Sequence, residues 1–270
     1  MPGSQRPHAS RRPLVVAIDG PSGSGKSTVS RRVAGRLGLE YLDTGAMYRA
    51  VCWACLERGV DLDDEPAVAG VARGLDLEIG TDPDAPFVRV DGRDVGAEIR
   101  ATQVSATVSV VAANLAVRAE LRRRQQQIIA DARRAPRHGV VAEGRDITTV
   151  VAPDADVRIL LTASEGARLA RRAREVHGSD DEGALAATRD QVVRRDADDA
   201  RVAQFLDAAD GVLRLDSSGL SVDETVEAVL AVVAEYAHVD GLEAALGKDL
   251  LVELAAEPVR AGPVGAGRGA

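Results

Sequence analysis

A glycine-rich segment between an apolar run and a helical pattern constrains this chain more than any other feature. Leu14-Val15-Val16-Ala17-Ile18 is a continuous apolar run of buried-strand type. Gly20-Pro21-Ser22-Gly23-Ser24-Gly25-Lys26-Ser27-Thr28 follows and matches G-x-x-x-x-G-K-[ST]. From Ser27 to Leu37, Val29, Val33 and Leu37 then recur on one helical face. Strand, loop and helix in that order make the segment a phosphate-binding loop rather than a glycine-rich turn with an incidental lysine. Glycines let backbone N–H groups turn toward one centre at a helix N-terminus, where an anion is held. Lys26 is placed to reach β- and γ-phosphates, and the Ser27 hydroxyl to hold Mg²⁺. The loop implies a bound nucleoside triphosphate.

The rest of the chain suits an α/β enzyme. Its 270 residues suffice for one such domain with insertions. It is 45% hydrophobic and 28% charged but only 2% aromatic, so Val, Leu, Ile and Ala must build the core. A net charge of −8 argues against a general nucleic-acid binder, which carries a basic footprint. It leaves room for a small anionic substrate, because a local arginine cluster can dominate one cleft. No apolar stretch is long enough to span a membrane, and Met1 to Pro13 lacks a signal-peptide core, so the cytoplasm is the expected location. Cys52 and Cys55 lie one turn apart in a helical pattern, with no second cysteine pair. They read as buried free thiols rather than a redox pair or half a zinc site.

Residues 1–13 read as a disordered tail, and 14–240 as a single domain. Helical patterns are expected over 44–58, over most of 102–134, and over 164–201 with an interruption at Gly178-Ser179-Asp180-Asp181. Further strands are expected at Tyr41-Leu42-Asp43, Gly139 to Ala142, Val157 to Leu161 and Val212 to Leu215, with a last core helix from Val222 to Tyr236. This alternation predicts a parallel sheet with helices on both faces. Leu75 to Ile79 and Phe87 to Val90 alternate apolar and polar around Asp82-Pro83-Asp84-Ala85-Pro86, predicting a small antiparallel hairpin inside an insert. Residues 241–270 form an extension, with an amphipathic helical pattern from Gly241 to Glu253 and a partly disordered end. No stripe demands a partner, so a monomer is expected.

Arginine recurs beside small or acidic residues at Asp43-Thr44-Gly45-Ala46-Met47-Tyr48-Arg49, Glu143-Gly144-Arg145-Asp146, and Arg194-Arg195-Asp196 with Asp199 and Arg201. The first two adjoin strand ends, where open α/β sheets bind ligands. Arginine is the preferred fork for phosphate, so a second phosphorylated ligand is implied.

With these segments in place, the chain resembles the bacterial cytidylate (CMP) kinases from about Leu14 to Glu235. The resemblance rests on Ile18 to Thr28, Leu42 to Arg49, Glu98-Ile99-Arg100, Ser109-Val110-Val111-Ala112-Ala113, Gly144-Arg145-Asp146-Ile147, and Thr149 to Ala155. It implies the P-loop nucleoside-monophosphate-kinase fold, with a CMP-binding insert over about 62–112 and a helical lid over 164–201. It further implies ATP and Mg²⁺ as cofactors and CMP and dCMP as substrates. ATP phosphates would lie on Gly20, Pro21, Ser22, Gly23, Ser24, Gly25, Lys26, Ser27 and Thr28. The CMP phosphate would be gripped by Arg49, Arg145 and Arg201, and cytosine read by Ser109, Arg118 and Asp146. The ribose would be held by Arg195 and Asp199, while Asp43 and Thr44 line the same pocket. The lid arginines Arg168, Arg171 and Arg172 would close over the phosphates or stack on adenine. Lys26, Arg145, Arg195 and Arg201 would carry the catalytic charge.

Those roles agree with the chemistry. A carboxylate at 146 accepts from the cytosine N4 amino group, where uracil presents a repelling carbonyl. The acceptor is an ionised phosphate oxygen, so no general base is required, and alignment and charge neutralisation suffice. Two positions depart from the family pattern. Thr148 stands where the family commonly has glycine; if that position needs positive φ, strain of about 1–3 kcal/mol is expected. Arg201 comes one residue early, which on a helix turns its side chain by about 100°. Two other readings stay open at this level: a P-loop kinase for another small acceptor, and a catalytically weakened nucleotide-binding module.

Overall fold

The computed structural model describes residues 13–200, 203 and 205–237. The extension over 241–270, the helical pattern expected from Gly241 to Glu253, and Arg201 lie outside the described residues. In chain order the elements are β1 (Leu14–Asp19), α1 (Lys26–Leu37), β2 (Glu40–Asp43), α2 (Thr44–Glu57), α3 (Glu65–Gly74), β3 (Leu77–Ile79), β4 (Val88–Val90), β5 (Arg93–Asp94), α4 (Thr102–Ala113), α5 (Leu115–Ala132), β6 (Gly139–Gly144), β7 (Val157–Thr162), α6 (Glu165–His177), α7 (Glu182–Asp199), β8 (Leu213–Asp216) and α8 (Val222–Ala237).

Five strands form a parallel sheet in the order β2-β6-β1-β7-β8. β1 lies at its centre and is buried along its whole length. Alternate strand residues face opposite sides. Val15 and Ala17 therefore enter a core built with α2, α4 and α5, whereas Val16 and Ile18 enter a second core with α1 and α8. Burial on both faces is why β1 reads as an unbroken apolar run. Cys52 and Cys55 pack in the first core as buried thiols, and burial pushes both thiols up from their ordinary range.

The insert carries the expected hairpin and adds β5, giving an antiparallel sheet in the order β3-β4-β5. It also holds α3, which the sequence reading did not separate from its surroundings. The Asp64 carboxylate caps α3 by accepting from the Ala67 N–H at 3.0 Å, and a proline occupies the first turn. The long helical stretch after residue 101 is two helices bent by 96°. Asn114 makes the break: its Oδ1 accepts from the N–H groups of Ala116 and Val117, and its Nδ2 donates to the Glu65 carbonyl at 2.9 Å. Among the described residues, no single helix is long and apolar enough to cross a membrane.

Candidate active site

Asp43 and Glu143 lie side by side where β2 and β6 end together, and Asp19 ends β1 on the opposite face of the sheet. In register, Asp19 at the end of β1 lies opposite Gly144, and Asp43 at the end of β2 lies opposite Glu143. The glycine loop leaves β1 directly after Asp19 and runs into α1. Gly23 and Gly25 adopt the left-handed conformation, with φ of 75° and 88°. That turns successive N–H groups inward, and Gly25 caps α1 with no side-chain hydrogen bond competing for the helix terminus. The buried Ser24 hydroxyl has no hydrogen-bond partner among the described residues. An open helix terminus, left-handed glycines and an orphaned hydroxyl together fit a phosphate chain. Lys26 is buried against the loop and donates to the Pro21 carbonyl at 3.3 Å.

A cleft of about 650 Å³ opens above these strand ends. It is lined by residues 22–28 of the glycine loop, and by Asp43, Thr44, Arg49, Arg118, Arg145, Asp146 and Arg172, all expected at the site. Gly20 and Pro21 sit beneath it as the root of the loop. From α4 the lining comes from Thr102, Ser105, Val108 and Ala112. Ser109, expected at the base-reading position, is half-buried on that helix and does not line the cleft; Ser105, one turn earlier, does. The helical register of α4, which sequence spacing does not fix, decides this. Arg195 and Asp199 fall within α7, but their side chains are outside the described residues.

Asp43 caps α2 by accepting from the Ala46 N–H at 2.8 Å, and it pairs with Arg49 at 2.9 Å. Burial opposes its charge, but Arg49, the Ala46 N–H, Arg100 and Lys26 outweigh it, and the carboxyl titrates below its ordinary value. Glu143 goes the other way: burial first, then the charge of Asp43, push its carboxyl up. The Tyr41 hydroxyl donates to it at 2.8 Å and Ser27 supplies a further hydrogen bond. Burial also raises the Tyr41 phenol, which stays a donor at neutral pH. Ser27, Asp43 and Glu143 thus bring hard oxygen donors to one place beside Lys26, a set that suits Mg²⁺.

On the acceptor side, Asp146 forms an ion pair with Arg118, whose guanidinium also donates to the Ala112 carbonyl at 3.3 Å. Burial pushes the Asp146 carboxyl up, while Arg118, Arg122 and Arg145 pull against it. Tyr48 lines the cleft nearby, and burial with the charge of Asp146 pushes its phenol up to about 12. Arg145 donates to the Gly20 carbonyl at 2.8 Å, with its guanidinium 4.9 Å from the centre of the buried Phe205 ring. Thr148 carries none of the strain considered for it. Asp91 and His138 are the non-glycine residues with positive φ among those described, and Thr148 lies instead in a π-helical turn over Ile147–Val151.

The helical hairpin of α6 and α7 packs on the glycine loop. Asp196 accepts from the Ser22 N–H at 2.9 Å and pairs with Arg168, which also donates to the Ser22 carbonyl at 3.0 Å. Arg171 donates to the Ser24 carbonyl at 3.2 Å and to Ser217 Oγ at 3.0 Å. These contacts tie two of the three expected lid arginines to loop backbone, while Arg172 pairs with Glu175 at 2.9 Å; Arg171 and Arg172 both line the cleft.

A model of the cytidylate kinase family matches residues 16–235, which covers the sheet, the insert and the helical hairpin. The chain belongs to the cytidylate kinase family. It is 45% identical over 223 residues to a cytidylate kinase of Streptomyces avermitilis, spanning 82% of this chain and 93% of that protein. A cytidylate kinase of Cutibacterium acnes is 48% identical, over 83% of this chain and 97% of its own length. One from Nocardia farcinica is 49% identical, over 83% of this chain and 94% of its own length. The stretch that matches the cytidylate kinase model contains every residue named as lining the cleft. Sequence reasoning quoted Asp19, Tyr48, Arg100 and Glu143 within motifs but gave them no role, and it passed over Arg122. The signal for Glu143 was its place immediately after the apolar run of β6; for Asp19 it was the step from β1 into the loop.

Proposed function

We infer that the chain is a kinase that transfers the γ-phosphoryl group of ATP to the phosphate of CMP or dCMP, giving CDP or dCDP. The observation that carries this is one cleft holding a phosphate-binding loop on one side and the Arg118–Asp146 pair on the other. Residues 20–28 hold the donor phosphates through loop N–H groups and Lys26. Ser27, with Glu143 and Asp43 beside it, would hold Mg²⁺, which would supply charge neutralisation to the donor phosphates. Arg172 faces the donor nucleotide. Arg49, Arg145 and Arg201 hold the acceptor phosphate, and Arg195 and Asp199 the ribose. The base is read by Asp146, held in place by Arg118, with Ser105 or Ser109 contributed from α4.

The acceptor oxygen is already ionised, so these residues align and neutralise rather than deprotonate. Closure of the segment over 164–201 excludes water, which would otherwise take the phosphoryl group. The reading includes a monomer working on small molecules in the cytoplasm, in pyrimidine nucleotide metabolism.

Asp146→Ala tests the base-reading role. Loss of one base-edge contact predicts a fall in kcat/KM for CMP of roughly ten- to a hundredfold, with ATP affinity changed less than about twofold. Equal losses for CMP and ATP would contradict it.

A further inference from the structure

We propose that Thr148 is a positioning residue for phosphoryl transfer: through the Asp19 carboxylate it fixes the segment bearing Arg145 and Asp146 against the strand end from which the phosphate loop departs. Four hydrogen bonds join residues 19–20 to residues 145–148. Asp19 Oδ1 accepts from the Ile147 N–H at 3.0 Å, and Oδ2 accepts from the Thr148 N–H at 2.8 Å and the Thr148 hydroxyl at 2.7 Å. The fourth runs from Arg145 to the Gly20 carbonyl at 2.8 Å.

The need for such a clamp follows from the backbone. β6 pairs with β1 only as far as Gly144 opposite Asp19. Beyond it Asp146 leaves the extended conformation at φ −145° and ψ 22°, and the π-helical turn begins. Such turns concentrate at functional sites because they re-aim side chains. No strand ladder therefore fixes Arg145 and Asp146 relative to the phosphate loop, and the Asp19 carboxylate takes that place. Asp19 is itself held rigidly, paired in register with Gly144 on one side and Leu160 on the other.

Both partners are buried, at 1% and 3% exposure, so water cannot replace a missing donor. Two of the three donors to Asp19 are backbone groups that any residue would supply. The hydroxyl is supplied only by threonine or serine at 148, and it offsets part of the burial cost that pushes the Asp19 carboxyl up. Thr148 stands where the resembling family commonly has glycine, which would supply a backbone N–H alone.

The inference rests on the assignment of Arg145 and Asp146 to the acceptor side. Its test compares Thr148→Val, which keeps the shape and loses the hydroxyl, with Thr148→Ser, which does the reverse. Steady-state kinetics would give kcat, KM for CMP and KM for ATP. A displaced acceptor segment predicts a loss of about tenfold in kcat and a raised KM for CMP in T148V, with KM for ATP within about twofold of wild type. T148S is expected to restore kcat to within about twofold. Wild-type kcat in T148V, or an equal loss in T148S, would overturn the proposal. If T148V does not fold, Thr148→Ala against T148S makes the same comparison of hydroxyl absent and present. Asp146→Ala separates the two readings: if it spares CMP, the acceptor assignment fails and takes this inference with it. If it behaves as expected while T148V stays at wild type, the positioning role alone fails.

Discussion

At the scale of single residues, the site stores its chemistry in buried acids whose protonation is split by their neighbours. Asp43 is surrounded by Arg49, Arg100 and Lys26 and stays charged, whereas Glu143, deeper and beside Asp43, is pushed up. Between its ordinary value of 4.5 and its raised folded value, the folded chain binds more protons at Glu143 than the unfolded chain does. The unfolding free energy therefore falls as pH rises through that window, and the loss persists above it. Glu143→Gln removes this penalty while keeping an acceptor for Tyr41. The difference in Tm between E143Q and wild type should grow in favour of the variant as pH rises from about 4.5 and then level off. Thermal melts across pH check this, and a variant that loses ground as pH rises would contradict the burial account. The same variant should turn over more slowly, since an amide replaces the carboxyl group beside Ser27.

At the scale of elements, legibility followed burial pattern. β1, β6 and β7 were readable because burial on both faces leaves apolar runs, broken in β7 only by Arg158 near its start. Glu143 received no role of its own because a carboxylate interrupts that run, and Lys26, Ser27 and Tyr41, folded in from elsewhere, offset part of its burial. α3 was obscured by Gly70 and Gly74, which depress helix propensity, although Asp64 and Pro66 signal its start. β5 has two exposed residues and so no alternation to detect. The Arg168–Asp196 pair joins two helices across a turn, a contact that no local pattern encodes. The α4–α5 break depends on Asn114, which satisfies two N–H groups at the start of α5 and the Glu65 carbonyl at the start of α3. Asn114→Ala should cost about 1 kcal/mol or slightly more through the lost cap. That corresponds to a fall in Tm of about 2–4 °C, readable by calorimetry; an unchanged Tm would mean that the cap carries no stability.

At the scale of the whole molecule, an acidic chain of net charge −8 concentrates arginines on one cleft. Parallel strand ends supply the loop and its acids, the insert supplies α4 and the wall with Ser105, and the α6–α7 hairpin covers the loop from above. Lys26, Arg49, Arg100, Arg118, Arg145, Arg171 and Arg172 converge there from separate parts of the fold, a concentration of charge that suits the two polyanions of the proposed reaction. The sequence showed the donor half through one contiguous motif. The proposed acceptor half draws on side chains from α2, α5 and the segment after β6, and it was legible chiefly through family resemblance. The most direct test of the account is nucleoside diphosphate formation from MgATP with CMP, dCMP, UMP and AMP offered in parallel. The account predicts rapid conversion of CMP and dCMP, with UMP and AMP far slower. Failure to phosphorylate CMP while ATP still binds, or a preference for UMP or AMP, would contradict it.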